Sequence, residues 1–223
     1  MSPRRSSLSR SRHEKRDSHA TRVVHQVASW CLCYPDAELV ERVPLLRAAL
    51  AEQAVTSFEA FLDHVAQTPV EQLEREYVDV FDLSRRHALY LSYWTDGDTR
   101  RRGEVLAGFK QRYRRSGFLV DTHGELPDFL PLVLEYAALA DPVDGAALLQ
   151  EYRPSLELLR LGLAEDGSAY ADVVDAVCAT LPGVSPPDRA AVMAMAAAGP
   201  PTETVGLEPY DPRLLPMAEE HHR

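Results

Sequence analysis

The sequence contains few cysteines, few lysines and no long apolar run. Its three cysteines are Cys31, Cys33 and Cys178. The first two are two positions apart, which directs them to different sides of a helix, and the third is remote, so neither a CxxC redox pair nor a metal knuckle is present. No stretch approaches the roughly 18 consecutive apolar residues of a membrane-spanning helix. We therefore expect reduced, structural thiols and no direct membrane insertion.

Motifs of catalysis are also missing. The sequence has no HExxH, no GxSxG, no P-loop and no GxGxxG. The turn Asp96-Gly97-Asp98 begins like a calcium loop, but its twelfth position is Ala107, where a bidentate glutamate is required. The sequence therefore predicts no enzyme, no catalytic residue and no bound metal. The spacing of four histidines in the chain does not match that of metal ligands; they are His25, His64, His87 and His123.

Positive charge is confined to two segments of an acidic chain. The formal net charge is −10, whereas residues 1–22 carry +5 and residues 100–115 carry +6, which leaves −21 on the rest. A field of that sign repels phosphates and favours cationic partners. The PRRSSL string at residues 3–8 is similar to a twin-arginine signal, but no apolar core follows it. We expect a cytoplasmic protein that binds no nucleic acid.

The pattern of apolar residues divides the chain into three parts. Residues 1–19 are rich in Arg and Ser without apolar periodicity, which predicts a disordered extension. Residues 20–198 form a single compact domain, and residues 199–223 carry prolines that prevent a regular helix and form a tail. Leu207, Tyr210, Leu214 and Leu215 of this tail are candidates to fold over a binding surface.

Helical periodicity recurs throughout the domain, so the predicted fold class is all-α. The run DFLPLVLEYAALA at 128–140 is apolar on nearly all sides, which is typical of a central helix, with Asp128 as its N-cap and Pro131 in its first turn. The segment ALYLSYW at 88–94 has no strand to pair with and is interpreted as a helical turn or a rigid extended link. The predicted helices are about 21–34, 37–52, 56–66, 70–82, 98–116, 128–140, 143–164, 168–181 and 187–198.

The stretch YLSYWTDGDTRRRGEVL at 90–106 combines aromatic rings, an acidic turn and three arginines. Asp98 is the expected N-cap of the helix that follows. Arg100 and Arg101, in its first turn, oppose the positive end of the helix dipole. Arg102 falls among the apolar residues of the helical wheel, which indicates an internal ion pair with Asp96, Asp128 or Glu135, or else contact with a partner.

Two functional classes remain open at this point. Tyr90, Tyr93 and Trp94 beside Asp96 suit a groove that holds an amphipathic peptide carrying Arg or Lys, although all three rings could equally lie in the core. The alternative is a nucleic-acid-associated regulatory protein that uses the two basic segments. Against it stand the acidic body and a total of two lysines, Lys15 and Lys110.

Three segments carry a resemblance to a known family. They are EYVDVFD at 76–82, LYLSYWTDGDTRRRGEVL at 89–106 and ELPDFLPLVLEYAAL at 125–139. They resemble the NarJ-type chaperones of the TorD/DmsD/NarJ superfamily, which assist assembly of the molybdenum cofactor into respiratory nitrate reductase. The YWTDGDTRRRG string at 93–103 is the most specific part of the match.

The resemblance implies a TorD-like helical bundle and a non-catalytic, cytoplasmic chaperone. Its implied partner is the N-terminal segment of the nitrate reductase α subunit, or the αβ apo-complex, and its implied task is to promote insertion of the molybdenum cofactor and iron–sulfur clusters before membrane assembly. It implies no stably bound cofactor. The expected structural motif residues are Asp98, Arg100, Arg101 and Arg102. The expected client-binding residues are Tyr90, Tyr93, Trp94, Asp96, Asp128 and Glu135.

Overall fold

The computed structural model describes residues 5–96, 100–122 and 124–198, with side chains from residue 18 onward except those of positions 96, 100 and 198. In this part of the chain every named element is helical, and the single extended pairing is a bridge between Tyr90 and Phe129. The elements are α1 (Arg5–Cys31), α2 (Ala37–Glu52), α3 (Glu59–Gln67), α4 (Val70–Tyr77), a first π turn (Val78–Asp82), a 3₁₀ turn (Arg85–His87), α5 (Tyr93–Asp96), α6 (Arg100–Arg115), α7 (Leu130–Glu135), a second π turn (Tyr136–Ala140), α8 (Pro142–Glu151), α9 (Arg153–Glu165), α10 (Tyr170–Ala179) and α11 (Arg189–Ala198).

The predicted central helix lies at the centre of the bundle. All five residues of α7 from Leu130 to Leu134 are buried, and α1 packs against both α7 and the second π turn. Ser29 of α1 donates to the carbonyl of Pro131 over 2.8 Å, which joins the two helices by a buried hydrogen bond. Because Glu135 is the one exposed residue of α7, a run that is apolar on nearly all sides is stable there. The all-α prediction is confirmed.

The second π turn packs against α8 at unusually close range. A Cβ placed on Gly145 would lie 2.4 Å from the Cα of Ala137. Only the absence of a side chain at this position of α8 allows the two backbones to approach so closely.

Three expectations about helix ends need correction. The predicted single helix 143–164 is interrupted at Tyr152, because Pro154 has no N–H to continue the hydrogen-bond ladder and instead occupies the first turn of α9. Asp128 is not the N-cap of α7, a position held by Phe129 without a side-chain hydrogen bond. Helix α1 begins at Arg5, within the segment that composition predicted to be disordered.

The loop between α10 and α11 is fastened by a buried group of charges on α9. Glu157 is fully buried and accepts hydrogen bonds from Arg153 Nε at 3.2 Å and Arg160 Nε at 2.7 Å. Arg153 also donates to the carbonyls of Pro182 and Gly183, and Arg160 donates to that of Pro186. One carboxylate therefore holds two guanidinium groups in the positions that fix this loop.

A buried histidine gives the fold a pH dependence. His25 is 2% exposed, and its Nε2 lies 2.9 Å from Thr180 Oγ1. Because the Thr180 hydroxyl donates to the carbonyl of Val177, it accepts from His25, which places the imidazole proton on Nε2. Burial lowers the pKa of His25 from 6.5 to about 4.

We expect stability to fall as the pH drops from 6.5 towards 4, because the unfolded chain binds a proton at His25 that the folded chain excludes. The full contribution is about 3 kcal/mol. Urea unfolding at neutral and acidic pH measures it, and His25→Gln should remove this part of the pH dependence. His19→Gln, at an exposed histidine of the same helix, is the matched control. An identical pH dependence in His25→Gln and the unsubstituted chain would contradict the assignment.

Candidate functional site

Three adjoining cavities form a groove along one side of the bundle. The central cavity, of about 480 Å³, lies between the end of α1, the first π turn, the link at 88–90, the loop at 121–125 and α7. The Trp94 cavity, of about 730 Å³, shares Phe81, Asp82 and Tyr90 with it. The Leu139 cavity, of about 250 Å³, shares Asp121, Leu132 and Glu135 with it. We refer to the three together as the groove.

Aromatic rings line the central cavity. Tyr77 and Phe81 are buried, their ring centroids are 4.8 Å apart, and Tyr34 meets Tyr77 edge-on at 5.4 Å. The Tyr77 hydroxyl is satisfied by the carbonyl of Leu32 at 3.1 Å, so the ring is fixed in place. Half of Tyr34 remains exposed. The cavity therefore offers a rigid apolar wall with one accessible ring at its mouth.

The charged side chains that line the central cavity are all acidic. Asp82, Asp121, Glu125 and Glu135 are exposed and come from three segments, which are the first π turn, the loop before α7 and α7 itself. Cys33 lies on the wall of this cavity. Burial, and after it the charges of Glu135, Asp36 and Glu125, raise the pKa of its thiol to about 11. The thiol therefore stays protonated at neutral pH and cannot act as a nucleophile. The arrangement favours a cationic ligand.

Tyr90 separates the central cavity from the Trp94 cavity. Its hydroxyl donates to Glu125 Oε2 over 2.7 Å, and its ring meets that of Phe129 at 5.5 Å. Two backbone hydrogen bonds hold the segment around it, from Leu91 N to the Asp128 carbonyl at 3.0 Å and from Leu130 N to the Leu89 carbonyl at 2.7 Å. In the segment interpreted as a helical turn or a rigid link, residues 88–92 therefore form a link tied to the start of α7, and residues 93 and 94 begin the short helix α5.

The side chain of Asp128 is buried next to the groove and does not line it. Its side chain is fully buried, and Oδ2 accepts from the Ser92 backbone N at 3.1 Å and from Ser92 Oγ at 2.6 Å. Arg102 Nη2 lies 3.7 Å from the same oxygen, which confirms an internal ion pair for Arg102. The prediction that Asp128 contacts the client is not supported by this position, because the side chain lines none of the three cavities.

The other predicted client-binding residues fall at different parts of the groove. Tyr90 and Glu135 line the central cavity, whereas Tyr93 and Trp94 line the Trp94 cavity together with Arg85 and Arg102. Trp94 is partly exposed and its Nε1 donates to the Ala88 carbonyl over 3.0 Å. The side chains of Asp96 and Arg100, and all of Asp98, lie outside the described residues. Arg101 is exposed on α6.

Most residues that line the central cavity were not predicted from the sequence. Tyr77, Phe81 and Asp82 belong to EYVDVFD, a segment that was matched to the family but assigned no site residue. Asp121 and Glu125 lie in the loop before α7, where nothing in their spacing sets them apart from surface acids. A signal for Asp82 was available in the alternation of acidic and aromatic residues along EYVDVFD.

The described part of the chain holds neither a metal-binding cluster nor a membrane-spanning helix. No group of three or more His, Cys, Asp or Glu side chains there is placed to hold a metal ion. Among the same residues, no helix has both the length and the apolar character needed to cross a bilayer.

The helical fold of the chain resembles that of a solved structure. It is similar to the crystal structure described as that of a redox enzyme maturation protein from Archaeoglobus fulgidus, with a TM-score of 0.56, 21% sequence identity and coverage of 71% of this chain and 91% of that one. The model of the nitrate reductase delta subunit family matches residues 46–175. The chain belongs to this family, and proteins named as NarJ chaperones are among its relatives.

Named relatives of the chain agree with this family assignment. The chain is 31% identical to NarJ of Bacillus subtilis, named as a nitrate reductase molybdenum cofactor assembly chaperone, over 73% of this chain and 90% of that protein. It is 28% identical to the NarJ of Escherichia coli K12 of the same description, over 67% and 65%. It is 40% identical to the nitrate reductase-like protein NarX of Mycobacterium tuberculosis, of which it spans only 24%. Of the two classes that the sequence left open, these relatives favour the chaperone.

Proposed function

We propose that this chain is a system-specific cytoplasmic chaperone for the catalytic α subunit of respiratory nitrate reductase. It holds the N-terminal segment of the apo subunit, alone or in the αβ apo-complex, while the molybdenum cofactor and iron–sulfur clusters are inserted, and it leaves before membrane assembly. The observation that carries the proposal is the groove, whose central cavity joins an aromatic wall to a lining of acidic residues. The names of the B. subtilis and E. coli relatives support the choice of client.

The chemistry of the groove specifies the kind of segment that it can hold. Tyr77 and Phe81 provide a wall on which an apolar side chain loses water, and the four acidic residues attract Arg or Lys placed beside it. An amphipathic segment with apolar and basic residues at helical spacing meets both requirements. The predicted contribution of Tyr93 and Trp94 is to extend the apolar wall into the Trp94 cavity.

The molybdenum cofactor is cargo of the client in this proposal and not a resident group. The charged residues lining the central cavity are acidic, which suits a cationic peptide. The contribution of the chain is to bind and shield the client segment while the client is loaded.

Calorimetric titration with a peptide from the α-subunit N-terminus tests the proposal. The double variant Glu125→Gln/Glu135→Gln removes two of the four negative charges, and we expect it to bind about tenfold more weakly, since each charge contributes about 0.5–1 kcal/mol at an exposed site. Its affinity should also depend less on ionic strength. Trp94→Ala is expected to weaken binding as well, and unchanged affinity would remove Trp94 from the site.

The matched control is Glu52→Gln/Glu71→Gln, which neutralises two exposed glutamates on α2 and α4. It changes the net charge equally, so it separates a local effect of the groove from the general field of an acidic protein. Equal weakening in both double variants would contradict a specific acidic groove. Absence of binding by the unsubstituted chain would contradict the choice of client segment.

A further inference from the structure

Helix α6 buries two of its described side chains fully against the bundle. Phe109 and Tyr113 are buried, with ring contacts to Tyr152 at 5.2 Å and to Tyr136 at 4.8 Å. The rest of its described surface is exposed or half-exposed. The helix therefore presents a broad face to its surroundings, and this face is the most basic region of the described chain.

Cations at the C-terminal half of this face have no acidic neighbours. Lys110, Arg114 and Arg115 are exposed, and within the described part of the chain none has a carboxylate within 4.0 Å. Arg112, two positions from both Lys110 and Arg114, differs from them because it bonds Asp144 at 3.2 Å and Glu151 at 2.6 Å. Arg112 thus fastens α6 to α8, whereas the other three serve no such internal purpose.

Two large apolar side chains project beside these cations. Gly117 adopts a positive φ of 76°, which turns the chain away at the end of α6. Phe118 is then 58% exposed and Leu119 is 98% exposed, although both border the Leu139 cavity. A leucine that touches almost no protein contributes nothing to folding by burial. We call Lys110, Arg114, Arg115, Phe118 and Leu119 the α6 tip.

We propose that the α6 tip binds the surface of an anionic lipid bilayer, peripherally and reversibly. The three cations meet negative headgroups, and Phe118 and Leu119 enter the boundary between headgroups and acyl chains. A surface that combines exposed Lys and Arg with projecting Phe and Leu is suited to this environment. Nucleic acid would pair with the cations but would leave Leu119 in water, so the apolar pair favours lipid.

The charge distribution disfavours contact through the acidic body of the chain. The segment 100–115 carries +6, whereas the chain outside the two basic segments carries −21 and is repelled by an anionic surface. Because the Debye length is about 8 Å at physiological ionic strength, only the nearest charges count, and the acidic body does not cancel the attraction of the tip. Asp121 follows two residues after Leu119, which limits insertion to the tip itself. The contact needs no membrane-spanning helix.

Sedimentation of the full-length chain with vesicles tests the proposal without any client. We expect binding to vesicles that contain phosphatidylglycerol, none to phosphatidylcholine alone, and loss of binding at high salt. Each cation near the surface is worth about fivefold in partitioning, so Lys110→Gln/Arg114→Gln/Arg115→Gln should bind about a hundredfold more weakly. Phe118→Ser/Leu119→Ser should also bind more weakly but keep its salt dependence.

Matched controls are Arg75→Gln for the cations and Leu83→Ser for the apolar pair, both at exposed positions away from the tip. Unchanged vesicle binding in the two tip variants would overturn the proposal and assign the binding to another basic segment, residues 1–22 above all. Failure of the unsubstituted chain to bind anionic vesicles, or tip-dependent binding to nucleic acid or acidic protein alone, would overturn it as well. None of these outcomes bears on the client proposal, because no client is present.

Discussion

Replacement of Glu157 by alanine is expected to lower the free energy of unfolding by about 3–5 kcal/mol, because it leaves Arg153 without a carboxylate and Arg160 with only the distant Asp175 at 3.7 Å. Arg153 is 3% exposed and the Arg160 side chain is 15% exposed, so water cannot replace the lost partner. Both arginines also bond the carbonyls of the loop between α10 and α11. We therefore expect that loop to loosen together with the global loss of stability.

Urea unfolding followed by circular dichroism measures this effect, with a midpoint shift of more than about 1 M expected. Hydrogen exchange at residues 181–187 reports the loop separately. The control is Glu165→Gln, at the exposed end of the same helix, which should leave the midpoint close to that of the unsubstituted chain. If Glu157→Ala unfolds at the same urea concentration as the control, the buried charges are not required for folding.

The second large effect is expected at Asp128. Asp128→Ala removes the acceptor of the Ser92 backbone N–H and hydroxyl and takes a carboxylate away from Arg102. Because Asp128 is fully buried, we expect a loss of about 3–5 kcal/mol. Asp128→Asn keeps an oxygen for Ser92 and loses only the charge, so its cost should be smaller, about 1–3 kcal/mol.

The milder Asn variant also reports on the groove. Asp128 lies beneath Tyr90 and Phe129, which meet at the boundary between the central cavity and the Trp94 cavity. We expect weaker client binding in Asp128→Asn even though the side chain lines no cavity, and peptide titration measures it. Asp79→Asn, at an exposed position in the first π turn, is the control. Unimpaired binding in a destabilised Asp128→Asn chain would show that Asp128 does not position the groove.

The helical architecture could be predicted from periodicity, whereas the groove could not. The prediction for α2 was confirmed residue for residue, because an Asp N-cap and a clear apolar period mark it locally. The acidic lining combines Asp82, the loop residues Asp121 and Glu125, and Glu135, which lie in three segments of the chain. Only the tertiary packing of those segments brings them together, and no local rule of sequence contains that information.

Asp128 shows how a correct local rule fails. An aspartate three residues before a proline and at the start of an apolar run is typical of an N-cap. Here Ser92, 36 positions earlier in the chain, supplies two donors to the same carboxylate. A buried charge gains more from two such hydrogen bonds and a nearby guanidinium than from one cap, so the tertiary contact prevails. The family resemblance pointed to this residue without revealing its structural role.

Both π turns border the groove, and this has a consequence for the length of the chain. A π turn accommodates one residue more than an α turn, and each residue of a helix advances the direction of its side chains by about 100°. Loss of a single residue from Val78–Asp82 or Tyr136–Ala140 would thus convert the π turn into an α turn. The side chains that follow would then point in a direction rotated by about 100°. The number of residues in each π turn is therefore constrained, independently of which residues they are. We expect related sequences to have no insertions or deletions at these two points.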